Sequence, residues 1–398
     1  MNHGNPGKAT IVCATAVILG VFGLGSVKAD DHPVGFGLLA PMTGTNAVQG
    51  RDMDRGARLA VQRINEGYEV TLNDGNTRTI GPGLLDRPLR VSTEDSGARP
   101  SEGMDAIRRL ISAVGVDAVL GTYSSGVTVP TGQYANENGV VMMGTVTTSP
   151  QLREIGPYFF SGMGLDHIAA AALAEFAVKD SGATRFGSLT MNNPFGVGME
   201  IQACKALEED FGGSCVNKVR YEDGRSDYRS ELRRAVGSDA EAVFYTAFGT
   251  DSRQILRQAM ERGIEPPKGW YASYMSMWSN ELAELPEAAE GIKGFDVGVG
   301  GEFYDENYAA GYEETYGESP RTAFGGYTYD GVMLVALAIQ KAGTTDSDAV
   351  RDAIPEVAAE YRGVTGDKTM DEDGMQVDES YAWKIFTDGE MQDYPYPD

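Results

Sequence analysis

Metal-binding and redox side chains are scarce in this chain, which has three histidines and three cysteines among 398 residues. His3 and Cys13 fall at the very start. Of the rest, Cys204 and Cys215 cannot make a structural zinc site alone and the histidines are only His32 and His167, so no metal and no cofactor is expected. Positive charge is also in deficit, with 33 Lys and Arg against 58 Asp and Glu. A surface of that sign repels nucleic acid and anionic membranes. Beyond Gly25 no apolar run approaches the ~20 residues of a spanning helix. Catalytic motifs are missing as well. There is no G-x-S-x-G elbow, no phosphate-binding P-loop and no H-E-x-x-H. Gly35-Phe36-Gly37 lies inside an apolar segment rather than after it, so it is not a dinucleotide fingerprint. The chain does not read as an enzyme.

What is present begins with an export signal. Met1–Lys8 is weakly basic, Ala9–Gly25 is mostly apolar, and Val27-Lys28-Ala29 is a small-residue cleavage site. Residues 1–29 therefore read as a signal peptide cut after Ala29, and the remainder as an exported protein. Cys13 has further apolar residues after it, so it is not a lipoprotein cysteine. Cleavage leaves 31 basic and 58 acidic residues, a net charge of −27. Acidity spread this widely is a solubility feature. In an oxidising compartment Cys204 and Cys215 are placed to form a disulfide closing a short helix-to-strand loop.

The mature chain alternates strands with helices. Val34–Ala40 leads into a helical pattern at Ala47–Glu66, with Ala57, Leu59, Ala60, Val61 and Ile64 at helical spacing. Tyr68–Asp86 reads as a peripheral hairpin or loop. Leu89–Glu94 is a strand and Pro100–Ala113 a helix with Ser101 as its cap. Strand Ala118–Leu120, a turn Gly121–Gly126 and a helix from Val127 to Asn138 follow. After strand Val140–Met143 comes a second hydroxyl-rich turn, Gly144–Pro150. From Asp166 the pattern restarts, with strands at Phe186–Thr190, Cys215–Tyr221, Ala242–Thr246 and Gly269–Ala272 between helices. This alternation predicts α/β lobes with parallel sheets. Later helices at Tyr304–Tyr316, Ala323–Ala342 and Asp346–Ala359, with strands Phe295–Gly298 and Tyr381–Phe386, complete both lobes. The last residues read as a loose tail. Paired carboxylates such as Glu208-Glu209 fall on solvated helix faces.

Parallel sheets place ligands at the carboxyl ends of their strands. Two hydroxyl turns sit there side by side, with Tyr123, Ser124 and Ser125 in the first and Val146, Thr147 and Thr148 in the second. Aromatics recur at the strand ends of the second series, at Phe195, Phe248 and Tyr274, with Met275, Met277 and Trp278 next to the last. Together these describe one cleft with a hydroxyl wall and an aromatic wall.

Several pieces, in order, resemble the type I periplasmic substrate-binding proteins that serve branched-chain amino acid ABC importers. They are Gly37–Gly44, Gly56–Ala60, Gly121–Ser125 with Pro130, Thr147–Leu152, Phe195-Gly196, Arg253–Ala259 and Tyr329-Asp330. The resemblance implies two Rossmann-like lobes joined by three crossovers with a ligand cleft between them. Residues 30–163 plus 299–360 would form lobe 1, and residues 164–298 plus 361–398 lobe 2. It implies a Venus-flytrap receptor, monomeric, that hands a small solute to an ABC permease. It further implies that Ser125, the Val146 backbone and Thr148 hold a carboxylate, with Tyr123, Ser124 and Thr147 on the same wall. Gln49 would cover the side-chain pocket, and Phe195 and Phe248 would flank the ligand from the other lobe. One departure matters. Amino-acid binders carry an acid where this chain has Tyr274, and a buried ammonium without a counter-charge is costly. Either Asp251 or another acid takes over, or the ligand has no α-ammonium. An aromatic acid, a short amide or urea, and a sensor role beside a membrane signalling protein stand as alternatives.

Overall fold

The computed structural model describes residues 1–4, 32–277, 280–297 and 300–397. Residues 5–29 of the signal segment, with its cleavage site, and Trp278 and Gly298 lie outside them. Residues Pro33–Asp398 form one compact unit, and its architecture is two α/β sheets with helices packed on them.

The first sheet contains β1 (Val34–Ala40), β4 (Leu89–Asp95), β5 (Ala118–Gly121), β6 (Val141–Gly144) and β7 (Phe159–Ser161), in the order β4-β1-β5-β6-β7. All its pairings are parallel. Strands β2 (Tyr68–Thr71) and β3 (Thr77–Ile80) form the predicted hairpin between them. The second sheet contains β8 (Arg185–Met191), β9 (Ser214–Tyr221), β10 (Ala242–Tyr245), β11 (Trp270–Ala272) and β12 (Lys293–Val297), joined in parallel in the order β12-β11-β10-β8-β9. Each sheet thus reverses direction beside its first strand, giving a topological switch point where ligands bind. The central strands are buried on both faces, which explains their continuous apolar runs rather than alternation.

The longer helices linking these strands are α1 (Ala47–Glu66), α2 (Pro100–Arg108), α3 (Ser125–Glu137), α4 (Asp166–Ser181), α5 (Pro194–Glu209), α6 (Arg229–Val236) and α7 (Gly249–Arg262). Short α8 (Tyr274–Met277) follows β11. Helix α2 is entered through Pro100 at its first turn with Arg99 as cap, so Ser101 is inside the helix rather than capping it. Cys204 on α5 and Cys215 on β9 are disulfide-bonded, with Cα atoms 5.5 Å apart.

The chain passes between the sheets three times. After β12 it returns to the first lobe, where helix Phe324–Ala342 packs on α1, β5 and β6. The packing is close enough that a Cβ on Gly56 would lie 2.0 Å from the Gly325 carbonyl oxygen. Residues 361–376, assigned from the sequence to the second lobe, bridge to the first, Leu72 pairing with Tyr361 and Ser161 with Met375. Within this segment β13 (Arg362–Gly363) and β14 (Gly366–Asp367) form a tight hairpin. The chain then adds β15 (Tyr381–Thr387) and β16 (Glu390–Asp393), antiparallel, to the edge of the second sheet. The predicted loose tail is therefore partly strand. Tyr394 and Tyr396 continue it, with rings 5.9 and 6.2 Å from Phe176.

Polar side chains tie the crossovers together. Lys368, fully buried, donates to the Gly162 carbonyl and to Gln376 Oε1 and lies 4.0 Å from Asp330. Glu379 accepts from the Gly164 N–H and the Tyr327 hydroxyl. Asp330 accepts from the Tyr361 hydroxyl and the Val364 and Thr365 N–H groups. Buried charge of this kind persists only where it is paired and hydrogen-bonded.

Candidate functional site

The ends of β5 and β6 face the ends of β8, β10 and β11 across the space between the lobes. Gly121 ends β5 with φ +109°, and a Cβ there would lie 2.2 Å from the Leu39 carbonyl oxygen, so glycine is required at this turn. The Thr122 and Thr128 hydroxyls lie 2.8 Å apart, and both donate to the Ser124 carbonyl. That knot fixes the entry to α3. Its first residue is Ser125, which the sequence reading places in the preceding turn. The Ser125 hydroxyl accepts from the Ser149 N–H at 3.3 Å, linking the two hydroxyl loops.

The opposite wall is assembled in the same way. Helix α5 begins at Pro194, ahead of the helix Met199–Asp210 that the sequence pattern predicts, because Asn193 caps it by accepting from the Gly196 N–H at 2.9 Å. Phe195 is thereby held in the first helical turn. Phe248 occupies the cap position of α7. The Ser276 hydroxyl accepts from the Ala247 N–H at 2.8 Å and ties the Phe248 loop to α8, which carries Tyr274 and Met275.

These walls enclose a chamber lined by Tyr123, Ser125, Val146, Thr148, Phe195, Phe248, Tyr274 and Met275. Seven of the eight are predicted site residues, and none carries a charge. Met275 was singled out in the sequence as an apolar neighbour of Tyr274 but not as a site residue. The walls rest directly on each other. The Tyr123 and Phe248 rings are 5.5 Å apart and the Thr148 and Tyr274 hydroxyls 3.1 Å apart, while within the second wall Phe195 stacks on Phe248 at 6.0 Å. The free space is about 10 Å³, close to one water molecule. Anything larger than a water molecule enters only if these walls part.

Phe248 also lines a second, outer chamber of about 500 Å³. Ser124 and Arg99 contribute from the first lobe, and Asp223, Arg225, Asp251 and Gln254 from the second. Asp251 faces this outer space rather than the inner one. It is engaged by the Tyr228 hydroxyl at 2.6 Å and the Gly224 N–H at 3.1 Å, and burial raises its pKa. Gln49 lies in α1 and lines neither chamber. Thr147 is buried beside the site but lines neither chamber.

One ionisable group near the inner chamber escaped the sequence reading. Asp166, the first residue of α4, is fully buried, and neither carboxyl oxygen has a hydrogen-bond partner. Its backbone N–H donates to the Thr148 carbonyl at 2.6 Å. Burial pushes its carboxyl up to about 8, against a smaller opposing influence of the Thr148 hydroxyl. In the sequence it is indistinguishable from a solvated aspartate at a helix start, since its burial arises only where the lobes meet. Among the described residues no cluster of ligating side chains suits a metal ion, and no helix is long and apolar enough to cross a membrane.

The comparisons with known proteins agree with this geometry. A family model described as a periplasmic binding protein matches residues 33–390. A Leu/Ile/Val-binding protein homologue of Brucella abortus is 25% identical, covering 93% of this chain and 95% of its own. Among solved structures, a leucine-binding protein of Thermotoga maritima has a TM-score of 0.78 at 24% identity, covering 91% of this chain and 98% of the other. A solute-binding protein of an ABC transporter from R. palustris, in complex with benzoate, has a TM-score of 0.74 at 17% identity, covering 91% and 95%. At these identities the structural likenesses establish the two-lobed fold.

Proposed function

Because the chain belongs to the periplasmic binding protein family, a family of binding proteins rather than enzymes, we propose that it is an exported monomeric receptor that closes on a small carboxylate-bearing solute. The solute is an amino acid or a related organic acid, and the receptor delivers it to an ABC permease. The observation that carries this reading is the inner chamber, where hydroxyls of Ser125 and Thr148 face three aromatic rings with no charged residue among the lining. Neutral donors suffice for a carboxylate in a dry cleft, because low dielectric strengthens each bond. The rings suit an apolar or aromatic body. Relatives described as binding leucine and benzoate support both ligand types. In this reading the polar network at the three crossovers is a hinge, and opening and closing is the working motion.

A thermal-shift screen of amino acids, aromatic acids, short amides and urea tests the proposal. A carboxylate ligand present at a hundred times its dissociation constant stabilises by about 2.7 kcal/mol. Stabilisation by amides or urea alone would overturn the carboxylate assignment.

A further inference from the structure

Resting on the reading of the inner chamber as the carboxylate site, we infer that the outer chamber is the other half of the same binding site, where Asp251 receives a cationic group at the far end of the ligand. The solute is then a carboxylic acid with an apolar middle and a terminal amino or guanidino group, rather than an α-amino acid. The two chambers are ends of one interlobe space. Phe248 lines both, and the consecutive residues Ser124 and Ser125 line the outer and the inner one. The inner lining offers hydroxyls and rings but no acid, so an ammonium next to the carboxylate would be buried unpaired, at a cost. The outer chamber, about 500 Å³, falls within the size range of ligand pockets. Asp251 lines it from the first turn of α7, the helix that Phe248 caps. A ligand that extends past the Phe248 ring therefore runs towards this carboxylate.

The charges around the outer chamber favour a cation there. Its two arginines are already paired with acids outside the lining. Arg99 bonds to Glu102, and Arg225 donates to Glu231 Oε1 at 2.9 Å. Asp251 is only 6% exposed, yet its hydrogen bonds come from neutral donors alone. The Tyr228 hydroxyl donates to Oδ1, and the Gly224 N–H is shared between both oxygens. A carboxylate has about four acceptor positions, so Oδ2 keeps lone pairs to spare. Burial, the largest influence on Asp251, disfavours its anion; Tyr228 and Gly224 favour it, and the neighbouring Asp223 opposes it. No cation is among these influences. Asp223 also lines the chamber and adds a second negative charge. A desolvated carboxylate without a counter-charge is where a charge-assisted bond from a ligand gains most. Because Tyr228 and Gly224 already fix the carboxylate, little side-chain ordering remains to be lost on binding.

The test is calorimetry at pH 7 of pentanoate, hexanoate and heptanoate against 5-aminopentanoate, 6-aminohexanoate and 7-aminoheptanoate, with wild type, Asp251→Asn and Ser125→Ala. In wild type at least one amino acid of the series should bind more tightly than its matched alkanoate by about tenfold or more. Asp251→Asn, whose amide oxygen still accepts from Tyr228 and Gly224, should bring that ratio close to one. Ser125→Ala should weaken both members of the pair and preserve the ratio. A wild-type ratio near one at every length overturns the inference whether or not Asp251→Asn folds, as does an unchanged ratio in a folded Asp251→Asn. In either case alkanoate binding that weakens in Ser125→Ala leaves the inner chamber reading intact. An amino-acid advantage that depends on Asp251 but ignores Ser125→Ala would uphold the outer subsite and overturn the hydroxyl wall. Failure of every probe to bind wild type would overturn both.

Discussion

At the scale of single residues the site turns on a few buried polar atoms. Asp166 shows this most clearly, because its raised pKa reverses the usual behaviour of a carboxylate. The unfolded chain loses this proton near pH 3.9, whereas the folded protein keeps it to about pH 8. Over that window the unfolded state binds fewer protons, so stability falls as pH rises and levels off above 8. Chemical denaturation of wild type against Asp166→Asn should therefore show a difference that grows between pH 4 and 8 to the disadvantage of wild type. Tyr274 adds a second prediction. Tyr274→Phe keeps the ring that packs on Phe195 and Phe295 but removes the hydroxyl that meets Thr148. It should leave the fold intact and alter the affinity ratio between leucine and 4-methylpentanoate, measured by calorimetry.

At the scale of elements, backbone proximity decides what the sequence can vary. Helix α1 and helix Phe324–Ala342 touch at Gly56 and Gly325, with no room for a side chain. Gly56→Ala should cost about 1–3 kcal/mol through overpacking, read as a lower midpoint in denaturant. The Cys204–Cys215 bond closes a short loop between α5 and β9, and its reduction should cost about 3 kcal/mol if chain entropy dominates. Strands and long helices were legible in the sequence because apolar periodicity reports burial directly. Helix starts were less so. Ser125 and Phe195 read as turn residues because Ser, Asn and Pro signal turns and caps alike, and only the observed Asn193 cap shows that α5 begins at Pro194. The course of residues 361–376 was not legible either, since short polar strands carry no periodicity to assign them to a lobe.

At the scale of the whole molecule, function rests on residues far apart in sequence meeting between two lobes. Tyr123, Ser125, Val146 and Thr148 are set on the first lobe, and Phe195, Phe248 and Tyr274 on the second. The recurrence of hydroxyls and aromatics at strand ends made this convergence readable before any coordinates. What the sequence could not convey is how tightly the walls close, or that Asp166, from the first crossover, is buried with neither carboxyl oxygen hydrogen-bonded. The central claim is that this interlobe wall holds the ligand. It is tested most directly by isothermal titration of the best ligand from the thermal screen into wild type, Ser125→Ala and Thr148→Val. The account predicts that each substitution weakens binding by about 1–3 kcal/mol, since each leaves a buried ligand oxygen short of a donor. Wild-type affinity in both variants would contradict it.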